Sequence, residues 1–187
     1  MNASQPGFSL LELVIVLVIM GIAALMMMPQ IDMRLVKVNA TSRSLTMFIL
    51  SAQQRAVLSQ RNVLVVFDTA AGRITVHEDS DNDGIRDAGE RQRSLDLEDG
   101  VRFTRGLVPP GPPGDSVVNM RAVGGVPMFT YRRNGSASES AGFYIGTARS
   151  GTSSEYESDV RGYTVERGTG QVVRWVVQGG QWRREGL

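Results

Sequence analysis

From position 8 to 28 the chain reads FSLLELVIVLVIMGIAALMMM, in which Ser9 and Glu12 are the strongly polar members. As a helix this run would extend about 31 Å at about 1.5 Å per residue, enough to span a bilayer. It exceeds the ~7–15 residues of a secretory h-region, and no A-x-A site follows, so the pattern predicts a transmembrane helix over 8–28. Pro29 comes next; lacking an N–H, it should kink or loosen the helix there. Beyond it Ile31, Leu35, Val38, Ser42, Leu45, Ile49, Ala52 and Ala56 recur at steps of four and three. That spacing draws one stripe along a helix and predicts an amphipathic stem over 29–61. A coiled-coil seam and a helix laid on a sheet both fit the stripe, and the small residues at 42, 52 and 56 favour the sheet.

After Arg61 the periodicity changes to two. Runs rich in β-branched and aromatic residues occupy 63–67, 73–77, 101–104, 117–120, 127–131, 142–147, 162–165 and 171–177, each bounded by turn-forming residues. The stretches VPPGPPG at 108–114 and RSGTSSEYE at 149–157 are too rich in Pro, Gly or Ser for regular structure. The expected fold is α+β: a long N-terminal helix, half membrane and half amphipathic, packed on a mostly antiparallel β domain over 62–187. No internal repeat is visible.

Composition narrows the function. Of 187 residues, 20 are Lys or Arg and 19 Asp or Glu, a net charge of +1 that recommends neither nucleic acid nor an acidic substrate. With no cysteine, disulfides, thiolate metal sites and Cys nucleophiles are excluded, though the redox compartment is not thereby decided. His77 is the one histidine and lies in a strand-like run, so a multi-His zinc site or a Ser-His-Asp triad has little to be built from. The chain is expected not to be an enzyme.

Glu12 needs a reason to be where it is, because a carboxylate near the start of a membrane segment costs at least about 2 kcal/mol on insertion scales. The run Gly7-Phe8-Ser9-Leu10-Leu11-Glu12 before an apolar stretch closely resembles the prepilin peptidase site of the type IV pilin superfamily. The resemblance implies that residues 1–7 are a leader, cut on the cytoplasmic side between Gly7 and Phe8. Phe8 then becomes an N-methylated N-terminus. It further implies that Glu12 meets the N-terminal amine of a neighbouring subunit during assembly, which fits the need of a desolvated carboxylate for a facing cation. The leader contains no Lys or Arg, whereas Arg34, Lys37 and Arg43 follow the apolar segment. Charge bias alone would orient the helix oppositely to the peptidase motif.

The order of parts, with a late Asn134-Gly135-Ser136 turn and a closing Gly170-Gln171-Val172-Val173-Arg174 strand, is similar to the GspH/FimT branch of minor pseudopilins. That resemblance implies a structural subunit of the periplasmic pseudopilus of a type II secretion system. It would be a single-pass inner-membrane protein with its C-terminal domain in the periplasm. Its implied partners are other pseudopilins or pilins, prepilin peptidase, the inner-membrane assembly platform and membrane lipid. A minor pilin of a type IV pilus, serving assembly, adhesion or DNA uptake, is the alternative.

Two further patterns carry chemistry. Residues 79–90, DSDNDGIRDAGE, follow the twelve-residue calcium-loop spacing, which would supply oxygens from Asp79, Asp81, Asp83, the Ile85 carbonyl, Asp87 and Glu90. A solvated hairpin turn has the same composition and stands beside calcium as the second reading. Clustered arginines at Arg174, Arg183 and Arg184 prompt a DNA-binding reading, although alternation along strands more often gives a solvated face and nucleic acid is not expected as a partner.

Overall fold

The computed structural model describes residues 9–26, 32–87 and 89–185. It divides into two compact units, 1–32 and 33–187. The first contains helix α1 (Leu10–Met26), whose large apolar side chains from Leu10 to Ile22 are 45–82% exposed. Seventeen residues extend about 26 Å, and among the described residues no helix is long and apolar enough to cross a membrane. The predicted span 8–28 overruns α1 at both ends, where Phe8 and residues 27–28, like the leader 1–7, Pro29 and Ile31, lie outside the described residues.

The second unit opens with helix α2 (Met33–Ser59), a run free of Gly and Pro. It buries Val38, Thr41, Ser42, Leu45, Ile49, Ala52 and Ala56, the predicted stripe with Thr41 added and with Leu35 only half-buried. Gln60 ends the helix with a left-handed backbone, φ 53°, and its side-chain Nε2 donates to the Val57 carbonyl at 2.7 Å.

Two sheets follow, and every strand pairing is antiparallel. The first comprises β1 (Asn62–Asp68), β2 (Arg73–Asp79), β3 (Gln92–Asp96), β6 (Ala122–Val123) and β7 (Val126–Tyr131), in the order β3-β2-β1-β7-β6. The second comprises β4 (Val101–Phe103), β8 (Ala141–Thr147), β9 (Arg161–Val165), β10 (Val172–Gln178) and β11 (Gln181–Arg184), in the order β11-β10-β9-β8-β4, with β5 (Val118–Asn119) also on β8.

The α2 stripe packs with the inner faces of both sheets into one core. Its aromatic centre joins Phe67 to Phe143 at 4.9 Å and stacks Phe143 on Tyr163 at 4.6 Å. The small Ser42 lets Tyr163 approach the helix and donate to Ser42 Oγ at 2.7 Å. A second cluster of Val108, Tyr144, Val160 and Val177 lies apart from that core. Here the 108–114 segment is clamped down: Tyr144 Oη accepts from the Gly111 amide and donates to the Gly114 carbonyl, and Trp182 Nε1 donates to the Pro109 carbonyl. A Cβ at Gly142 would collide with Pro113.

Several elements depart from the sequence expectation. The 149–157 stretch, expected to be irregular, contains two 3-10 turns, Ala148–Gly151 and Ser154–Asp159. Buried Asp159 holds them, accepting from Thr147 Oγ1 and from Arg149 Nε and Nη2. Strand β3, QRSLD, escaped prediction because it is a largely exposed polar strand at the end of its sheet. Strand β11 follows Gly179 and Gly180, whose φ of 59° and 73° close a two-residue hairpin with β10.

Candidate functional site

The acidic loop joins β2 to β3. Its base is tied to α2: Arg55 Nε and Nη2 donate to Glu78 at 2.9 and 3.1 Å, and Arg91 lies 3.8 Å from the same carboxylate. Asp79 is buried at the end of β2 and accepts from the amides of Asp83 at 3.1 Å and Gly84 at 2.9 Å. Burial raises its pKa above the usual carboxylate value, against the pull of those amides. Asp81 accepts from the Asp83 amide at 3.4 Å and Asp83 from the Ile85 amide at 2.7 Å. The reversal needs left-handed backbone at Asn82 and Gly84, φ 62° and 77°. Asn82 also accepts from the Asn62 amide, anchoring the loop to β1.

Of the predicted calcium ligands, the fold gathers Asp79, Asp81 and Asp83, each placing one oxygen within 4.8 Å of the others. Oxygens held 2.3–2.6 Å from one Ca²⁺ lie at most about 5 Å apart, so these three fit a shared cation. Asp87 and Glu90 are not in that group. Glu90 instead accepts from the amides of Ser80 at 2.8 Å and Asp87 at 3.2 Å, bracing the loop from inside. Burial and the neighbouring Asp83, Asp81 and Glu90 charges raise the Asp87 pKa. Ile85 keeps its side chain 60% exposed.

The three arginines do not share one face. Arg184 pairs with Trp175 and Arg183 with Val176, so strand alternation sends their side chains to opposite sides of the sheet. Arg174 lies 3.6 Å from Glu185 and is mostly buried.

At the N-terminus Gly7 and Phe8 lie outside the described residues, and Glu12 occupies the first turn of α1. Ser9 starts the helix: its Oγ accepts from the Glu12 amide at 3.2 Å and its carbonyl from the Leu13 amide at 3.2 Å. Ser9-Leu10-Leu11-Glu12 is thus a Ser-x-x-Glu capping signal, a second pattern carried by the same four residues. A carboxylate there also complements the positive end of the helix dipole. Residues 2–28 match the prokaryotic N-terminal methylation motif. The chain carries a prepilin-type N-terminus.

This N-terminus places Glu12 in a fixed register from the predicted Gly7–Phe8 junction. No curated protein sequence matches the chain. Among solved structures, the minor pseudopilin EpsH from the type 2 secretion system of Vibrio cholerae is similar at 12% identity and a TM-score of 0.49, over 75% of this chain and 97% of that one. The type IV minor pilin FimU of Pseudomonas aeruginosa PAO1 is similar at 12% identity and a TM-score of 0.44, over 78% of this chain and 92% of that one.

One surface was missed by reading the stem for a single stripe. On the side of α2 opposite its buried residues, Met33, Val36, Met47, Leu50, Val57 and Leu58 are 39–81% exposed. They recur at helical spacing with Ala40, Arg43 and Gln54 interposed. The chain therefore has a helix apolar on two sides, only one of which the β domain covers.

Proposed function

We propose that the protein is a minor pseudopilin, a structural subunit of the periplasmic pseudopilus of a type II secretion system. The observation that carries the filament-subunit part of this reading is the match of residues 2–28 to the N-terminal methylation motif. Prepilin peptidase removes residues 1–7 and Phe8 is N-methylated. The apolar segment 8–28 anchors the subunit in the inner membrane, with 62–187 in the periplasm. The uncovered apolar surfaces of α1 and α2 then pack against neighbouring subunits and the assembly platform, and Glu12 takes the amine of an adjacent N-terminus. Catalysis has no part in this mechanism.

Co-expression with prepilin peptidase tests it. Intact-mass measurement should find a chain lacking residues 1–7, and a bulky substitution at Gly7 should block the cut. An uncut chain beside an active peptidase refutes the assignment. The motif serves type IV pili equally, and deletion separates the machines: loss of protein secretion supports the pseudopilus, loss of pili the minor pilin.

Calcium belongs to the same proposal, supported by the convergence of Asp79, Asp81 and Asp83. The ion would order the β2–β3 loop and perform no chemistry.

A further inference from the structure

Helix α2 and strand β10 do not close completely on each other. Two cavities of about 320 and 370 Å³ run along their seam and share Arg43, Arg174 and Glu185 in their walls. Arg161 lines the first, so among the described residues Arg43, Arg161 and Arg174 border this groove against the one carboxylate of Glu185, whereas strand alternation turns the Arg184 side chain, opposite Trp175, to the other side of the sheet.

Arg161 is the deepest of the three, at 7% exposed. Its Nη1 donates to the carbonyls of Ser158 and Val160, and its Nη2 donates to Asn39 Oδ1 at 2.6 Å. Its Nε has no acceptor. Burial disfavours the charge and lowers the pKa, opposed chiefly by Glu185, yet a guanidinium keeps its proton in a protein. Asp159, the next acid in its field, is held by Arg149 and Thr147. The seam therefore carries buried positive charge with too little negative charge to balance it, a state that favours an incoming anion.

We propose that this groove docks a carboxylate-bearing segment of a neighbouring filament subunit, an inference that rests on the filament reading above. Guanidinium forks match carboxylates in bidentate geometry. The walls include Met47, 68% exposed, together with Val173 and Val176. Such a cleft accommodates the methylenes of an acidic side chain as well as its head. A nucleic-acid duplex would need cations spread over one outward face, whereas Arg183 and Arg184 diverge. Met47 also belongs to the uncovered stripe of α2, so groove and stripe form one continuous surface.

The test is calorimetric titration of the full chain in nonionic detergent with an oligoglutamate peptide, inorganic phosphate and duplex DNA. The peptide should bind, with affinity falling about tenfold in Arg43→Gln, an exposed site where loss of folding is not at issue, and unchanged in Arg184→Gln, on the other side of the sheet. Raised salt should weaken it further. Absence of peptide binding, binding indifferent to Arg43→Gln, or an equal loss in Arg184→Gln overturns the proposal. So does phosphate binding without peptide binding, which would mark an isolated ion pocket, or duplex DNA binding more tightly than the peptide. Peptide binding by a chain that prepilin peptidase leaves uncut would uphold the groove and overturn a filament subunit as its occupant.

Discussion

Helices α1 and α2 show that burial follows the arrangement of apolar groups and not their number. In α1 nearly every residue is apolar, and its large side chains from Leu10 to Ile22 stay 45–82% exposed. In α2 Arg34, Lys37, Arg43 and Arg55 interrupt the helix, yet seven of its residues are buried. Only α2 presents a stripe of small and branched side chains shaped to the aromatic floor of the two sheets. A helix apolar on every side has no preferred face for a single β domain. It is suited to surroundings that are apolar all round, a bilayer or a bundle of like helices.

The largest expected effect attacks the covered stripe. Ile49→Ala should destabilise the folded unit by about 2–5 kcal/mol, seen as a lower Tm in detergent, because Ile49 is fully buried. Leu17→Ala, 60% exposed on α1, should leave that Tm unmoved. An equal loss at both positions would erase the contrast between the helices.

Calcium should come next. At a hundredfold excess over Kd, an ion bound only by the native state adds about 2.7 kcal/mol of stability. Scanning calorimetry with calcium or chelator should show the shift, and Asp81→Asn or Asp83→Asn should remove it. Asp96→Ala, outside the loop, should not. Since Glu90 is engaged by two amides, Glu90→Ala should lower stability even with chelator present. A Tm indifferent to calcium leaves this loop a hairpin turn braced by its own carboxylates.

A smaller effect is expected where helix and sheet exchange one hydrogen bond. Tyr163→Phe removes the donor to Ser42 while keeping the stacked ring, and should cost about 1 kcal/mol by denaturant unfolding. The least effect on stability belongs to Glu12→Ala. It should leave the domain's Tm unchanged and membrane insertion intact or improved, while weakening incorporation into filaments. Normal incorporation would remove Glu12 from the assembly mechanism.

Much of this arrangement is legible along the chain because its signals are local. The α2 stripe is a matter of spacing, and its predicted positions from Val38 to Ala56 are buried. Gly7 to Glu12 is a contiguous motif, and residues 2–28 match its family. The 79–90 pattern marks the right loop but not its geometry. Whether five carboxylates converge depends on how tightly the backbone turns and which amides compete for them, and here two amides hold Glu90 aside. β3 stayed hidden because a polar strand at the end of a sheet has no alternation to read.

By itself, then, the sequence determined what periodicity and contiguity can encode: an apolar N-terminal helix with a processing motif, an amphipathic stem and a β-rich remainder. The tertiary structure alone decided which distant residues meet. Arg161 reaches Asn39 across 122 positions and Gln53 reaches Thr169 across 116, contacts that close only when two sheets fold over one helix. The arginine groove along the α2–β10 seam is of this kind. Its charges come from segments too far apart for any local pattern to connect, and its depth comes from a helix and a strand that do not fully close.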